Sequence, residues 1–279
     1  MTKLYNKANQ SILVITKWQT PGWVCTMEKE ECCMPALMSL SLSLKFVIFA
    51  AAIFVSNIVQ ALTGFAGVML SIPPSMLLFG PDMAIAVINA LCWGVSVVLA
   101  WRNRRYLNLK GVLTIVGFML AGMAIGVKLY SLVSPQIIGP VYGGIIVAAA
   151  LKNLLVKPSE KPMSHWLSAV ILIGAGIIHG MFASGGALLV VYLAATYHNK
   201  YTFRANVAAV WSCLNLVLMF KDFEKGMFNA QAFHLMLIAI IPLLLAVYIG
   251  NKIHSRINQR MFNYSTYGLL LLSGAMILL

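Results

Sequence analysis

From position 43 to its end the chain is a series of apolar runs long enough to cross a bilayer, separated by short polar breaks. A run of about 20 apolar residues spans the hydrocarbon core as a helix. Lipid offers no partner to an unpaired backbone group, so spanning segments must be helices or a closed barrel. The short alternating segments of a barrel are absent. With 61% hydrophobic and 10% charged residues, the chain falls well below the roughly one quarter charged that soluble domains carry. The expected fold is all-α, a polytopic transmembrane helix bundle.

Twenty Lys+Arg against seven Asp+Glu give a formal charge of +13. In a soluble protein that balance would point to nucleic acid, but here the basic residues gather between spans, as in Arg102, Arg104, Arg105 and Lys110. Loop Lys and Arg orient membrane proteins and meet anionic lipid, so membrane lipid is the expected partner and nucleic acid is not. Cys25, Cys32 and Cys33 lie in the N-terminal stretch, and Cys92 and Cys213 lie in apolar runs. That spacing makes neither a disulfide framework nor a zinc site. Residues 1–41 form an aperiodic tail without signal-peptide features, and Met34 and Met38 just before the first apolar run are alternative expected starts.

Hydropathy places a helix at 43–62, a glycine interruption, a short piece at 68–79, and full spans at 83–101, 113–132 and 137–156. A linker follows at 157–165. The order then recurs: 166–182, an interruption, a short piece at 187–197, and spans at 205–220, 230–253 and 262–279. Two homologous repeats with interrupted helices, 42–156 and 166–279, are therefore expected. At one offset Gln60 aligns with His179 and Gly67 with Gly186; at a slightly larger one Gly122 and Gly126 align with Ala246 and Gly250. Counting loop charges does not separate inverted from parallel repeats, and inverted repeats are favoured because mirrored breaks could meet at the midplane.

The breaks, Thr63-Gly64-Phe65-Ala66-Gly67 and Ala183-Ser184-Gly185-Gly186, each precede a helix too short to cross. A helix N-terminus within the membrane exposes unpaired N–H groups, and an anion is a suitable partner for them. The candidate substrate-binding residues are Gln60, Thr63, Gly64, Phe65, Gly67, Asn89, His179, Ser184, Gly185, Gly186 and Asn206. Each could instead serve helix packing or interhelical hydrogen bonding, as Gly122 and Gly126 are expected to do. Asp82, Asp222 and Glu224 read as loop residues, and no acidic residue reads as deep in a span, which disfavours a cation carrier. No metal or other cofactor is expected. An intramembrane hydrolase using Ser184 is the alternative from another class, with His198 and His234 poorly placed as its base; a non-transporting subunit or receptor is a third.

With these residues in view, the chain resembles the sulfite exporter TauE/SafE family of membrane permeases. The resemblance rests on Gln60-Ala-Leu-Thr-Gly-Phe-Ala-Gly67 with Pro73 and Pro74, and on Gly180-Met-Phe-Ala-Ser-Gly-Gly186. Ala66 stands where that family usually has glycine, and Tyr192 where the second-half proline would fall. The resemblance implies a permease in the bacterial inner membrane for small anions of the sulfite, sulfonate or carboxylate class, and is compatible with a homo-oligomer.

Overall fold

The structure, a computed structural model, describes residues 41–129, 164–182 and 186–278, with 143, 144, 146–148, 150, 151 and 155 between them. Most of these residues are helical, and those described include no strand. Nine helices follow one another among them: α1 Leu42–Thr63, α2 Gly67–Phe79, α3 Pro81–Arg102, α4 Leu109–Leu129, α5 His165–Phe182, α6 Gly186–Thr196, α7 Lys200–Glu224, α8 Ala230–Arg256 and α9 Gln259–Leu278. A 3₁₀ turn, Arg104–Tyr106, joins α3 to α4. Five of them, α1, α3, α4, α7 and α8, are long and apolar enough to cross a membrane. The tail, the linker at 157–163 and most of the span expected at 137–156 lie outside the described residues.

Several helices run past the apolar runs that announce them. α7 starts at Lys200 and ends at Glu224, so Arg204 and Asp222 are helical and buried. Asp82 sits in the first turn of α3. The loop assignment of these two aspartates and of Glu224 is thereby corrected: Pro81 opens α3 just before Asp82, and the helical hydrogen bonding of α7 continues past its apolar stretch to the Lys225 N–H, which donates to the Lys221 carbonyl at 3.2 Å.

The antiparallel pair α3 and α7 forms the interior. Their most apolar stretches are 56% and 50% buried, against 22% to 28% for α1, α4 and α8. The Trp93 indole donates to the Ser212 carbonyl at 3.0 Å midway along the pair, and the Asn206 side chain meets Tyr106 and Asn108 at one end. α1 and α2 form a hairpin, with the Ser56 and Ser71 hydroxyls bonded and Phe79 returning beside Phe46 and Phe49 near the start of α1.

Two parallel pairs flank the centre, held by glycines at which the helix backbones touch. A Cβ on Gly126 would strike the Ile177 carbonyl, and one on Gly122 the Ile173 carbonyl, which seats α4 against α5. A Cβ on Gly250 would meet the Ile58 carbonyl oxygen at 2.7 Å, which seats α8 against α1. The offset that aligns Gly67 with Gly186 also aligns Ile58 with Ile177, so aligned glycines touch aligned residues. Where lipid replaces water, apolar burial gives helices no preference for each other, and close packing at small residues holds the bundle.

Candidate functional site

The first break is a tight reversal between α1 and α2. Gly64 takes φ +88° and its N–H donates to the Gln60 carbonyl at 2.7 Å, ending α1 in a left-handed cap. The Thr63 hydroxyl lies 2.8 Å from the Val59 carbonyl and 2.9 Å from that of Phe65, and it accepts from the Phe65 N–H at 3.4 Å. Phe65 is buried in the core formed by α4 to α7 and α9. Ala66 opens α2 with φ +72°, and no side chain caps the N–H groups that follow.

A left-handed residue other than glycine is strained by its Cβ. Ala66→Gly is therefore expected to stabilise the protein by about 0.5–1 kcal/mol after allowing for the extra freedom glycine gives the unfolded chain. A thermal melt in detergent that is unchanged or lower would contradict this.

Gln60 lies across the start of α2, since a Cβ on Gly67 would fall on its side chain. Its amide donates to the Cys92 carbonyl at 3.4 Å, halfway along α3. At the second break His179 is 2% exposed, and neither ring nitrogen has a hydrogen-bond partner among the described residues. Its ring centroid is 5.2 Å from that of Trp211, halfway along α7, and a Cβ on Gly186 would come 3.0 Å from the edge of the same indole. Because Trp93 joins Ser212, the structure brings Gln60 with Gly67 and His179 with Gly186 to the middle of the same inner pair.

Other candidates are placed elsewhere. Asn89 donates to the Asp222 carboxylate at 3.4 Å, toward one end of the bundle. Asn206 accepts from the Asn108 N–H at 3.0 Å and donates to Thr202 and Tyr106 carbonyls, toward the other. Neither makes a hydrogen bond to a residue of either break among the described ones, and each already has a structural partner. Ser184 and Gly185 lie outside the described residues. His198 and His234 are exposed.

Arg204 is absent from the candidates that sequence suggests, yet it is 2% exposed, touches Gly64 at the first break and donates to the Asn251 side-chain oxygen. Lys200 and His254 lie beside it, the lysine ammonium donating to the His254 carbonyl at 2.7 Å. The available signal was two cations four residues apart just before an apolar run, with no acidic residue nearby.

No curated protein and no solved structure gives a match. The family model for the sulfite exporter TauE/SafE matches residues 48–277, nearly all of the helical region and both breaks. A multi-pass helical chain matched over that length is a membrane transporter rather than an enzyme, and it belongs to the sulfite exporter TauE/SafE family.

Proposed function

We propose that this transporter moves a small oxyanion by alternating access at a site halfway along α3 and α7, between Gln60 with Gly67 and His179 with Gly186. The observation that carries the reading is the meeting of Gln60 with Gly67 and of His179 with Gly186 at that level, where the buried histidine ring has no hydrogen-bond partner among the described residues. The free N–H groups of short helices offer donors and positive potential to an anion, and membrane transporters use such half-helices at their substrate sites. Sulfite, organosulfonates and related sulfur-containing or carboxylate anions present oxygens that such donors can share.

Inverted repeats fit this reading. The corresponding helices α3 and α7 run in opposite directions, and the aligned contacts of Gly126 with Ile177 and Gly250 with Ile58 relate the two halves. Exchanging the packing of the halves would then open the site to either face. Exposed Arg102, Arg104, Arg105, Lys110, Arg256 and Arg260 crowd one end of the bundle. The opposite end has all three carboxylate residues among the described ones, Asp82, Asp222 and Glu224. By the bias of Lys and Arg toward the cytoplasm, the basic end faces the cytoplasm of a bacterial inner membrane.

The test is uptake of radiolabelled sulfite into proteoliposomes, with sulfate, thiosulfate, sulfonates and carboxylates as competitors. Saturable sulfite uptake, competed by at least one sulfonate, is the expected result. Proteoliposomes that take up none of these anions above protein-free vesicles would refute the assignment.

A further inference from the structure

Beside the first break, toward the basic end, buried polar groups gather that the central site does not use. Arg204 donates through one terminal nitrogen to Asn251 and leaves its Nε without a partner among the described residues. Asn251 leaves its Nδ2 unpartnered as well. His254 Nδ1 lies 2.8 Å from the Leu62 carbonyl, which can only accept, so Nδ1 carries the proton and Nε2 is left over, also without a partner. Lys200, itself buried, spends two N–H groups on the His254 and Ile257 carbonyls and adds its charge. No carboxylate among the described residues pairs with Arg204, since the three present lie at the other end of the bundle.

Such an arrangement is costly for a purely structural tie. Buried polar atoms are nearly always hydrogen-bonded, and a buried charge without a counter-ion is strongly disfavoured. Both cations also stand near the N-terminus of α7, where the helix dipole is already positive. Joining α7 to α8 through Asn251 explains one N–H of Arg204 and none of the three leftover atoms. A small oxyanion would satisfy the arginine and the amide together, and its charge would offset Arg204 and Lys200.

We propose that Arg204, Asn251 and His254 form a second anion-binding site, a waiting position for one small oxyanion between the basic end of the bundle and the midplane. The ligand is a free ion rather than a lipid headgroup, because Arg204 at 2% exposure lies inside the bundle and not on its lipid-facing surface. His254 serves as an acceptor for a protonated oxyanion while neutral and as a further donor once protonated. The site has no counterpart in the first repeat, where the residue aligned with Arg204 is Ile85, so it makes the two sides of the membrane inequivalent. This inference stands without the central site.

Asn251→Asp provides the test, because it gives Arg204 a carboxylate of its own. The full chain, purified in uncharged detergent free of lipid, is dialysed to equilibrium against radiolabelled sulfite, and its thermal stability is measured alongside. Wild type is expected to bind two sulfite ions per chain. Asn251→Asp should bind one, with unchanged or higher thermal stability and affinity at the lost site down by about tenfold or more. Arg204→Gln should lose the same ion, and it serves as the second variant if the aspartate disturbs folding. Gly186→Val tests the central site separately. One ion in wild type, lost in Asn251→Asp and kept in Gly186→Val, would uphold the Arg204 site and remove the central one. Wild-type stoichiometry and affinity in folded Asn251→Asp and Arg204→Gln proteins would overturn the proposal.

Discussion

Gly126→Val is expected to cost the bundle about 3 kcal/mol or more of stability, because the new side chain would have to displace backbone rather than a flexible neighbour. The obstacle is the Ile177 carbonyl of α5, and the same face of α4 meets α5 again where a Cβ on Gly122 would strike the Ile173 carbonyl. On the other flank, Gly250→Val should act similarly against Ile58 and Ala61. Gly117 supplies the control within the same helix, for a Cβ there meets nothing. Replacing it by Ala should be neutral or gain up to about 1 kcal/mol, since alanine is the better helix former. The measurement is size-exclusion profile and thermal transition of each variant in detergent. Equal stability of Gly126→Val and Gly117→Ala would show that the α4 to α5 contact is not what holds this flank.

These glycines also show what sequence could and could not say. Gly122 and Gly126 stand four apart in an apolar run, and that spacing alone places them on one helix face and makes a packing role legible. Their partner was not legible, because the contact joins segments about fifty residues apart and no local pattern specifies it. The first break was legible for a different reason: clustered glycines interrupt an apolar run, and the remaining piece is too short to cross; the second expected break falls on 183–185, outside the described residues. Hydropathy failed at helix ends. A window that scores apolar residues stops at the first charge, so it leaves Arg204 outside its helix and Asp222 in a loop, while both are helical and buried. The amides of Asn89 and Asn206 could not be sorted from sequence either. Whether a polar group in a membrane helix meets a ligand or a neighbouring helix depends on which partner reaches it, and here Asp222 and the turn before α4 reach them.

The largest effect on transport is expected from His179→Phe, and its sign on stability makes it informative. Phenylalanine keeps a ring against Trp211, now 5.2 Å from the imidazole, while removing two buried nitrogens that lack partners among the described residues. Relief of an unsatisfied buried group is worth about 1–3 kcal/mol, so the variant should melt at or above the wild-type temperature. If His179 contacts the anion, that stabilised protein should lose sulfite uptake by about tenfold or more, since a hydrogen bond to a charged group contributes about 1.5–3 kcal/mol. Gly186→Val approaches the same locus from the other side. Its Cβ would sit 3.0 Å from the edge of the Trp211 ring, which can yield by a few tenths of an ångström, so the fold should survive while the start of α6 is covered. Gly67→Val is less decisive, because its Cβ would fall on Gln60 and lower stability as well as block the site. A His179 outside the transport path predicts a phenylalanine variant that is equally stable but transports normally. Measuring sulfite uptake per folded molecule beside the melting temperature separates the two, and normal uptake by a stable His179→Phe protein would take the histidine out of the transport path.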